Sequence, residues 1–429
     1  MATRTDMTRL WRDIETAGGI DAYVDTQLTE HGYLVEKKET DGMSRRELAR
    51  YKKELKQEAE EKRKLKKEAW QAYKATHIVH LGEGIYFNDA EDWDRRDLEK
   101  AEERAAENEL PQLDSPKQLA EALGLTIPKL RWLSYHRDAA TRIHYRRFFI
   151  SKRDGSSRPI WAPLPDLKGA QRWILNNIVE RLPVHGACHG FLCGRSILTN
   201  AKFHENSSVI VKMDLKDFFP TVTFPRVKGL FRKAGYREQV ATILSLLCTE
   251  SPREIVDFAG KTFYVSTGIR CLPQGAPASP AITNTLCLNL DRRLSGLASK
   301  MGWRYTRYAD DLTFSLPEKH KDAPKIGTLM GIVSRIVQDE GFTIHGKKTR
   351  VIRKGSRQTV TGLVVNDALA PRVPRKLKRR IRAAVFNLKN GRPLKDGDTP
   401  ESLAGYAAYI NMTDPKTGKI LMDQLAPFL

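Results

Sequence analysis

Apolar residues alternate with polar ones at period two in several short stretches, and recur at helical spacing between them. Val209-Ile210-Val211, then Met213, form an apolar run that ends in Asp214 and predicts a strand. Tyr145 to Pro163 alternates as strand–turn–strand, with Asp154-Gly155 as the turn. Tyr305 and Tyr308, followed by Leu312-Thr313-Phe314-Ser315, predict a second tight hairpin with the adjacent Asp310 and Asp311 at its centre. Gln358 to Val365 reads as a strand pair or a bulged strand. Helical spacing accounts for Leu167–Leu182, Phe224–Glu250, Ala281–Leu294, Ile326–Glu340 and a stretch from Pro371 to about Asn390. Ser115-Pro116 supplies a cap and a first-turn proline for a helical lead-in around Gly124. Leu403 to Leu429 predicts a short helix and a loop. The pattern is α+β.

Residues 1 to about 110 differ from the rest. Met43 to Trp70 is rich in Lys, Glu and Arg, and Leu48, Leu55 and Leu65 are its regular apolar positions. That stripe is too narrow for a coiled coil. It reads as a solvated charged helix, with a basic arm lying along RNA as the sharper alternative. Asp89 to Asn108 predicts an acidic helix, and Leu110-Pro111-Gln112-Leu113 a break.

Charge narrows the class of partner. The 429 residues carry 73 Lys+Arg against 52 Asp+Glu, a net charge of +21, which points to a polyanion. No apolar run approaches the roughly 18 residues of a membrane span, and Met1–Leu10 lacks the apolar core of a signal peptide. A soluble, cytoplasmic chain without a membrane partner is expected. Five cysteines, an odd number, argue against a disulfide framework.

The hairpin holds the first candidate chemistry. Aspartate is a poor strand former, and the adjacent Asp310 and Asp311 repel unless a cation offsets them. Mg²⁺ takes one or two carboxylates together with waters and phosphates. Asp214 delivers a third carboxylate from the end of its own strand. Three carboxylates on neighbouring strands can hold two metals, the arrangement of in-line nucleotidyl transfer. His185, Cys188, His189 and Cys193 suggest zinc at first sight, but their spacing fits no familiar finger, and the interleaved glycines suit a tight loop.

Tyr308-Ala309-Asp310-Asp311, preceded in order by Asp214 and by Leu272-Pro273-Gln274-Gly275, resembles the motifs of reverse transcriptases. The resemblance implies a right-hand polymerase with fingers and palm over 111–370 and a thumb and RNA-binding region over 371–429. A charged helical extension over 1–110 precedes them. It implies two Mg²⁺ ions on Asp214, Asp310, Asp311 and the backbone carbonyl of Leu215. Lys152 and Arg158 match the cations that hold the incoming deoxynucleoside triphosphate, and Gln274 would hydrogen-bond it. Phe219 would sit under the sugar and exclude a 2′-hydroxyl, unless Phe218 is the ring that does so. Lys348 would protonate the leaving pyrophosphate. Arg375, Lys376, Arg379 and Arg380, in a run without acids, would meet RNA phosphates from the thumb.

Asn200-Ala201-x-x-His204 and Val360-Thr361-Gly362 resemble the two signatures of retron reverse transcriptases, and Asn200, His204, Val360, Thr361 and Gly362 are assigned to RNA contact. That likeness implies a structured non-coding RNA as template and primer, a branched RNA–DNA product, and a role in antiphage defence with an effector protein. Two rivals share part of the pattern. A group II intron-like or other bacterial reverse transcriptase would share the palm. A non-catalytic nucleic-acid-binding protein on a polymerase fold would keep the shape, but three carboxylates and Gln274 disfavour it.

Overall fold

The computed structural model describes residues 6–85, 100–151, 155, 157–319, 325–366, 370–395 and 397–429. They fall into two units that alternate along the chain: Met1–His144 with Phe231–Leu247 and Arg253–Gly268, and Tyr145–Leu230 with Cys248–Pro252 and Ile269–Leu429.

In the first unit, α1 (Met7–Thr16) and α2 (Ile20–Glu30) pack on α3 (Arg45–Thr76). Ser44 and Glu47 close a reciprocal capping box that fixes where α3 starts. Ala69 and Ala72 let Ile14 of α1 approach closely, and Leu65 packs with Val24 and Leu28 of α2. The charged helix is therefore not solvated all round: its C-terminal half has a buried face. The acidic helix expected over Asp89–Asn108 is described only at its end, as Ala101–Glu107 flanked by Lys100 and Asn108; residues 89–99 lie outside the described residues. After α3 the chain bridges to His136 at Gly82, where a Cβ would lie 1.9 Å from the His136 carbonyl oxygen. The helical lead-in forms two helices, Pro116–Ala122 and Ile127–Ser134, turned at Gly124 with φ +66°. Strand β1 (Ala139–Ala140) completes a sheet with β5 (Arg253–Phe258) and β6 (Lys261–Ser266), in the order β1-β6-β5.

The second unit is built on a four-stranded antiparallel sheet in the order β7-β8-β4-β9: β4 is Ser207–Asp214, β7 Arg304–Tyr308, β8 Asp311–Pro317 and β9 Arg350–Arg353. The central strands β4 and β8 are buried along most of their length, with Val209, Val211 and Met213 on one face of β4 and Leu312, Phe314 and Leu316 on one face of β8. The hairpin β2 (Tyr145–Ser151) and β3 (Ser157–Pro163) forms in full register as expected. Gln358–Val365 is a strand pair, β10 (Thr359–Val360) and β11 (Leu363–Val364), turned through Thr361-Gly362.

The chain after Pro371 differs from expectation at its end. The basic helix forms as Arg375–Lys389, but two helices follow it, Pro400–Asn411 and Pro415–Leu425, instead of one helix and a loop. Each is started by a capping side chain, Thr399 and Asp414, with proline in the first turn. All three helices share one core with β10 and β11 through Val360, Leu363, Ile381, Leu403, Ile410 and Leu421.

Candidate active site

Antiparallel pairing of β4 with β8 sets Asp214 directly opposite Asp311. Asp310 lies in the two-residue turn from Tyr308 to Asp311, where Ala309 takes φ +54°. The carbonyl of Asp310 accepts from the Leu215 N–H at 2.9 Å, so the turn is tied to the end of β4. Two facing strand ends thus carry the three carboxylates. Burial, then the charges of Asp214 and Asp311, push the Asp310 carboxyl above the usual carboxylate range, and Lys348 partly opposes them. Asp311 is raised as well, chiefly by burial, with Lys212 and Lys348 opposing and Asp214 adding.

Lys348 lies in a short turn, Gly346–Lys348, and its ammonium contacts both oxygens of Asp214, at 2.9 and 3.0 Å. The segment before it runs along the end of β4: Lys216 N–H donates to Thr343 O, and His345 N–H donates to Asp214 O. Among the described residues no three acidic, His or Cys side chains form a ready-made metal cage. The donor chemistry nevertheless fits a hard divalent cation: all three groups are carboxylates, and their mutual repulsion at Asp310 and Asp311 is what such a cation relieves.

Beneath the turn is a buried network that the motifs do not announce. Arg307 and Asp291, both fully buried, pair through Nε and Nη2 at 2.7–3.1 Å. Arg307 also donates to Asn284 Oδ1 and to the carbonyl of Ala309, and Tyr305 OH donates to Asp291. A guanidinium with its donors in a fixed fork thereby holds the strained Ala309 turn from below. The available sequence signal was a charge inside each of two patterned stretches: Asp291 beside Leu290 and Leu294, and Arg307 between the strand-forming Tyr305 and Tyr308.

The loop with two histidines and two cysteines is an edge to this strand. His189 N–H donates to Arg307 O and Arg307 N–H to Ala187 O, while a Cβ at Gly190 would lie 2.7 Å from the Ala309 nitrogen. Its thiols and imidazoles do not converge: Cys188 is buried against Gly190 O, Cys193 is exposed, and His189 bonds Thr199. All five cysteines are free.

The other expected positions separate into several places. Phe218 is buried against Phe342 and under Arg307, whereas Phe219 is half-buried, so Phe218 is the core ring of the pair. The Gln274 loop docks on β3, its carbonyl accepting from Trp161 N–H at 2.7 Å. Gly275 is required there, since a Cβ would lie 2.6 Å from Ile160. Arg158 is exposed on β3, opposite Ile150; Lys152 lies outside the described residues. Arg375, Lys376 and Arg379 are exposed without an ion-pair partner among the described residues, while Arg380 pairs with Asp398 and lies over the Tyr406 ring.

Asn200 and His204 do not reach the surface: both are buried, as is Val360. Thr306 Oγ1 donates to Asn200 Oδ1 at 2.5 Å and so accepts from His204 Nε2 at 2.7 Å. His204 Nδ1 then accepts from Ser315 Oγ at 2.8 Å. Burial holds this imidazole neutral, pushing its pKa down to about 3. Thr361, at φ +44°, donates to Ile197 O and stands 3.5 Å from Asn200 Nδ2. The two short motifs are thus joined inside the protein, between β7, β8 and the β10–β11 turn. Gly362 follows at φ +86°, with the Tyr409 hydroxyl 3.0 Å from where a Cβ would be.

A family model described as reverse transcriptase (RNA-dependent DNA polymerase) matches residues 150–368, which covers the carboxylate-bearing strands and the Gln274 loop. The chain is an RNA-directed DNA polymerase with the mixed helix-and-sheet fold of that class. It is 52% identical to the Retron Mx162 reverse transcriptase of Myxococcus xanthus over 422 residues, 96% of this chain and 87% of that protein. It is 41% identical to the Retron Mx65 reverse transcriptase of the same organism over 77% of this chain and 76% of that one. With the Retron Ec86 reverse transcriptase of Escherichia coli it shares 30% identity over 74% of this chain and 90% of the other. The chain belongs to the reverse transcriptases of bacterial retrons. Reverse transcriptases generally use divalent metal ions, and among the described residues no helix is long and apolar enough to cross a membrane.

Proposed function

We propose that this enzyme copies part of a structured non-coding RNA, at once template and primer, into branched RNA-linked single-stranded DNA, and that the product acts in antiphage defence with an effector protein. One observation carries the reading: likeness to a retron reverse transcriptase extends over 96% of the chain, and so includes most of the segment before residue 110. Synthesis starts from a 2′-hydroxyl within the RNA and takes place in the cytoplasm.

In this reading the four-stranded sheet is the palm, the β2–β3 hairpin belongs to the fingers, and Arg375–Lys389 with the two helices after it is the thumb. Residues 1–110, 111–370 and 371–429 are the functional divisions. Asp214, Asp310, Asp311 and the Leu215 carbonyl hold two Mg²⁺ ions, which when bound would activate the attacking hydroxyl and offset phosphate charge. Lys348 keeps Asp214 in place and hands a proton to the leaving pyrophosphate. Arg158 and Lys152 bind the triphosphate, and Gln274 orients the nucleotide from its docked loop. Phe219, the less buried ring, excludes ribonucleotides. Arg375, Lys376 and Arg379 meet RNA phosphates. Asn200, His204 and Val360 support RNA binding from within, by fixing the turn that carries Thr361 and Gly362.

The test is primer extension with Mg²⁺ on a primed RNA template, together with sequencing of the nucleic acid that copurifies, before and after debranching. DNA joined to an internal RNA position and released by debranching is expected. DNA with a free 5′ end, unaltered by debranching, would sink the priming assignment, and absence of extension would sink the polymerase assignment with it.

A further inference from the structure

The charges of α3 are sorted by side. At 100° per residue, Arg45, Lys52, Lys56, Arg63, Lys67 and Lys74 fall within about 60° of one another. All six are exposed. Glu47, Glu54, Glu58, Glu61 and Glu68 lie on the other side of the helix, beside the face that packs through Leu65, Ala69 and Ala72. Glu60 alone borders the stripe, 3.9 Å from Lys56. The other ion pairs of the helix leave the stripe untouched: Lys62 and Lys66 turn toward Asp25 and Asp21 of α2, and Arg50 and Lys64 pair with Glu54 and Glu61. Arg45, Lys52, Arg63 and Lys67 have no ion-pair partner among the described residues. A solvated helix with no partner gains from interleaving its signs at four-residue spacing. This one instead lines up like charges in alternating steps of seven and four residues, about 10.5 and 6 Å apart along the axis.

A ring stands in the same stripe. Trp70 is 45% exposed and lies nearly parallel to Tyr73, with centroids 5.3 Å apart, and Tyr73 stacks in turn on His77 at 4.2 Å. Trp11 of α1 meets Tyr73 and His77 edge-on, which fixes the column from the side. Lys74 reaches the indole at 5.7 Å, near the outer limit of a cation–π contact. The column is held rigidly at its inner end and finishes in an exposed indole among cations. Aromatic faces beside a cationic track are the elements from which single-stranded nucleic acid sites are made.

We infer that this face of α3 is a second nucleic-acid site, which takes a single-stranded segment of RNA, its phosphates along the cations and an unpaired base stacked on Trp70. The inference rests on the reading that the enzyme works on a structured RNA, and it needs nothing of the three carboxylates.

The test uses the full chain and three probes: a short oligouridylate, a blunt RNA duplex of the same length, and phosphatidylserine vesicles. Trp70→Ala should weaken oligouridylate binding about tenfold, with Trp70→Phe restoring most of it and the duplex hardly affected. Changing Arg63, Lys67 and Lys74 together to Gln should flatten the dependence of log affinity on log salt by roughly 0.7 per lost contact. Extension of a saturating short primed template should be unchanged in every variant. If the variants bind oligouridylate as the parent does, with the same salt slope, the inference is wrong while the polymerase reading stands. Equal loss on oligouridylate and duplex after Trp70→Ala would overturn base stacking. A loss confined to vesicles would make the stripe a membrane face. A parent protein that neither extends nor binds RNA would overturn the proposed function itself. Should Trp70→Ala fold poorly, the triple Gln variant, altered only at exposed positions, decides the question.

Discussion

Charges near the Asp214–Asp311 pair and charges along α3 obey opposite rules. Beside the three crowded carboxylates, the buried charges of Arg307 and Asp214 are answered close by: Arg307 by Asp291 at 2.7 Å, Asp214 by Lys348 at 2.9 Å. On α3, cations stand exposed in a row with little to answer them. Burial explains the first, because an unpaired charge away from water costs several kcal/mol. Water explains why the second is tolerated, and tolerance is not a cause. Pairing in the interior therefore reports on folding, whereas sorting of charge on an exposed helix reports on a partner.

The comparison breaks most sharply at the carboxylates. Asp310→Asn or Asp311→Asn should lower primer extension by roughly 10²–10³-fold or more, with RNA affinity largely kept. Near-normal extension by both variants would mean that their crowding serves folding alone. Next comes the support below them. Asp291→Ala leaves the Arg307 guanidinium buried and unpaired, and should cost about 3–5 kcal/mol in urea unfolding. Replacing Asp291 and Arg307 together with Leu and Met should recover much of that loss; if it does not, the pair specifies the Ala309 turn as well as neutralising itself.

His204 gives a pH signature. Its folded pKa, about 3, lies below the ordinary 6.5, so the unfolded chain binds the proton more readily between those values. The stability contributed by the neutral imidazole is complete above pH 6.5 and is lost as pH falls toward 3. His204→Asn should be less stable at neutral pH by about 1–3 kcal/mol, because Thr306 and Ser315 lose their partner. It should also lose less stability than the parent on acidification through that window. Parallel curves for the two proteins would show that the imidazole is not buried neutral.

Phe218 and Phe219 repeat the contrast on a smaller scale. Phe219→Ala should reduce the preference for deoxynucleotides on the order of tenfold, while Phe218→Ala should mainly destabilise the protein. Movement of the preference by the Phe218 variant would exchange their roles. Smallest of all, Lys67→Gln on α3 should change stability by no more than about 0.5 kcal/mol. A larger drop would mean that the stripe contributes to the fold.

Much of this was legible from the chain alone. Period-two alternation located β2, β3 and β8, an apolar run located β4 and two tyrosines located β7 near their observed bounds, and adjacent aspartates flanked by strand formers located the turn. Those features are local: alternation, turn chemistry and like-charge adjacency act over a few residues, so sequence order carries them. Register, burial and long-range pairing do not. Only the tertiary structure set Asp214 against Asp311, brought Asp291 to Arg307 and Asn200 to Thr361, and turned His204 inward although its motif suggested RNA contact. It also chose Phe218 as the core ring, and it gave the charged α3 a buried side by bringing α1 and α2 onto Ala69, Ala72 and Leu65. Each of these is a choice of which neighbour a side chain meets. That choice is made by the whole set of packed elements, through desolvation and the demand that buried polar groups be bonded.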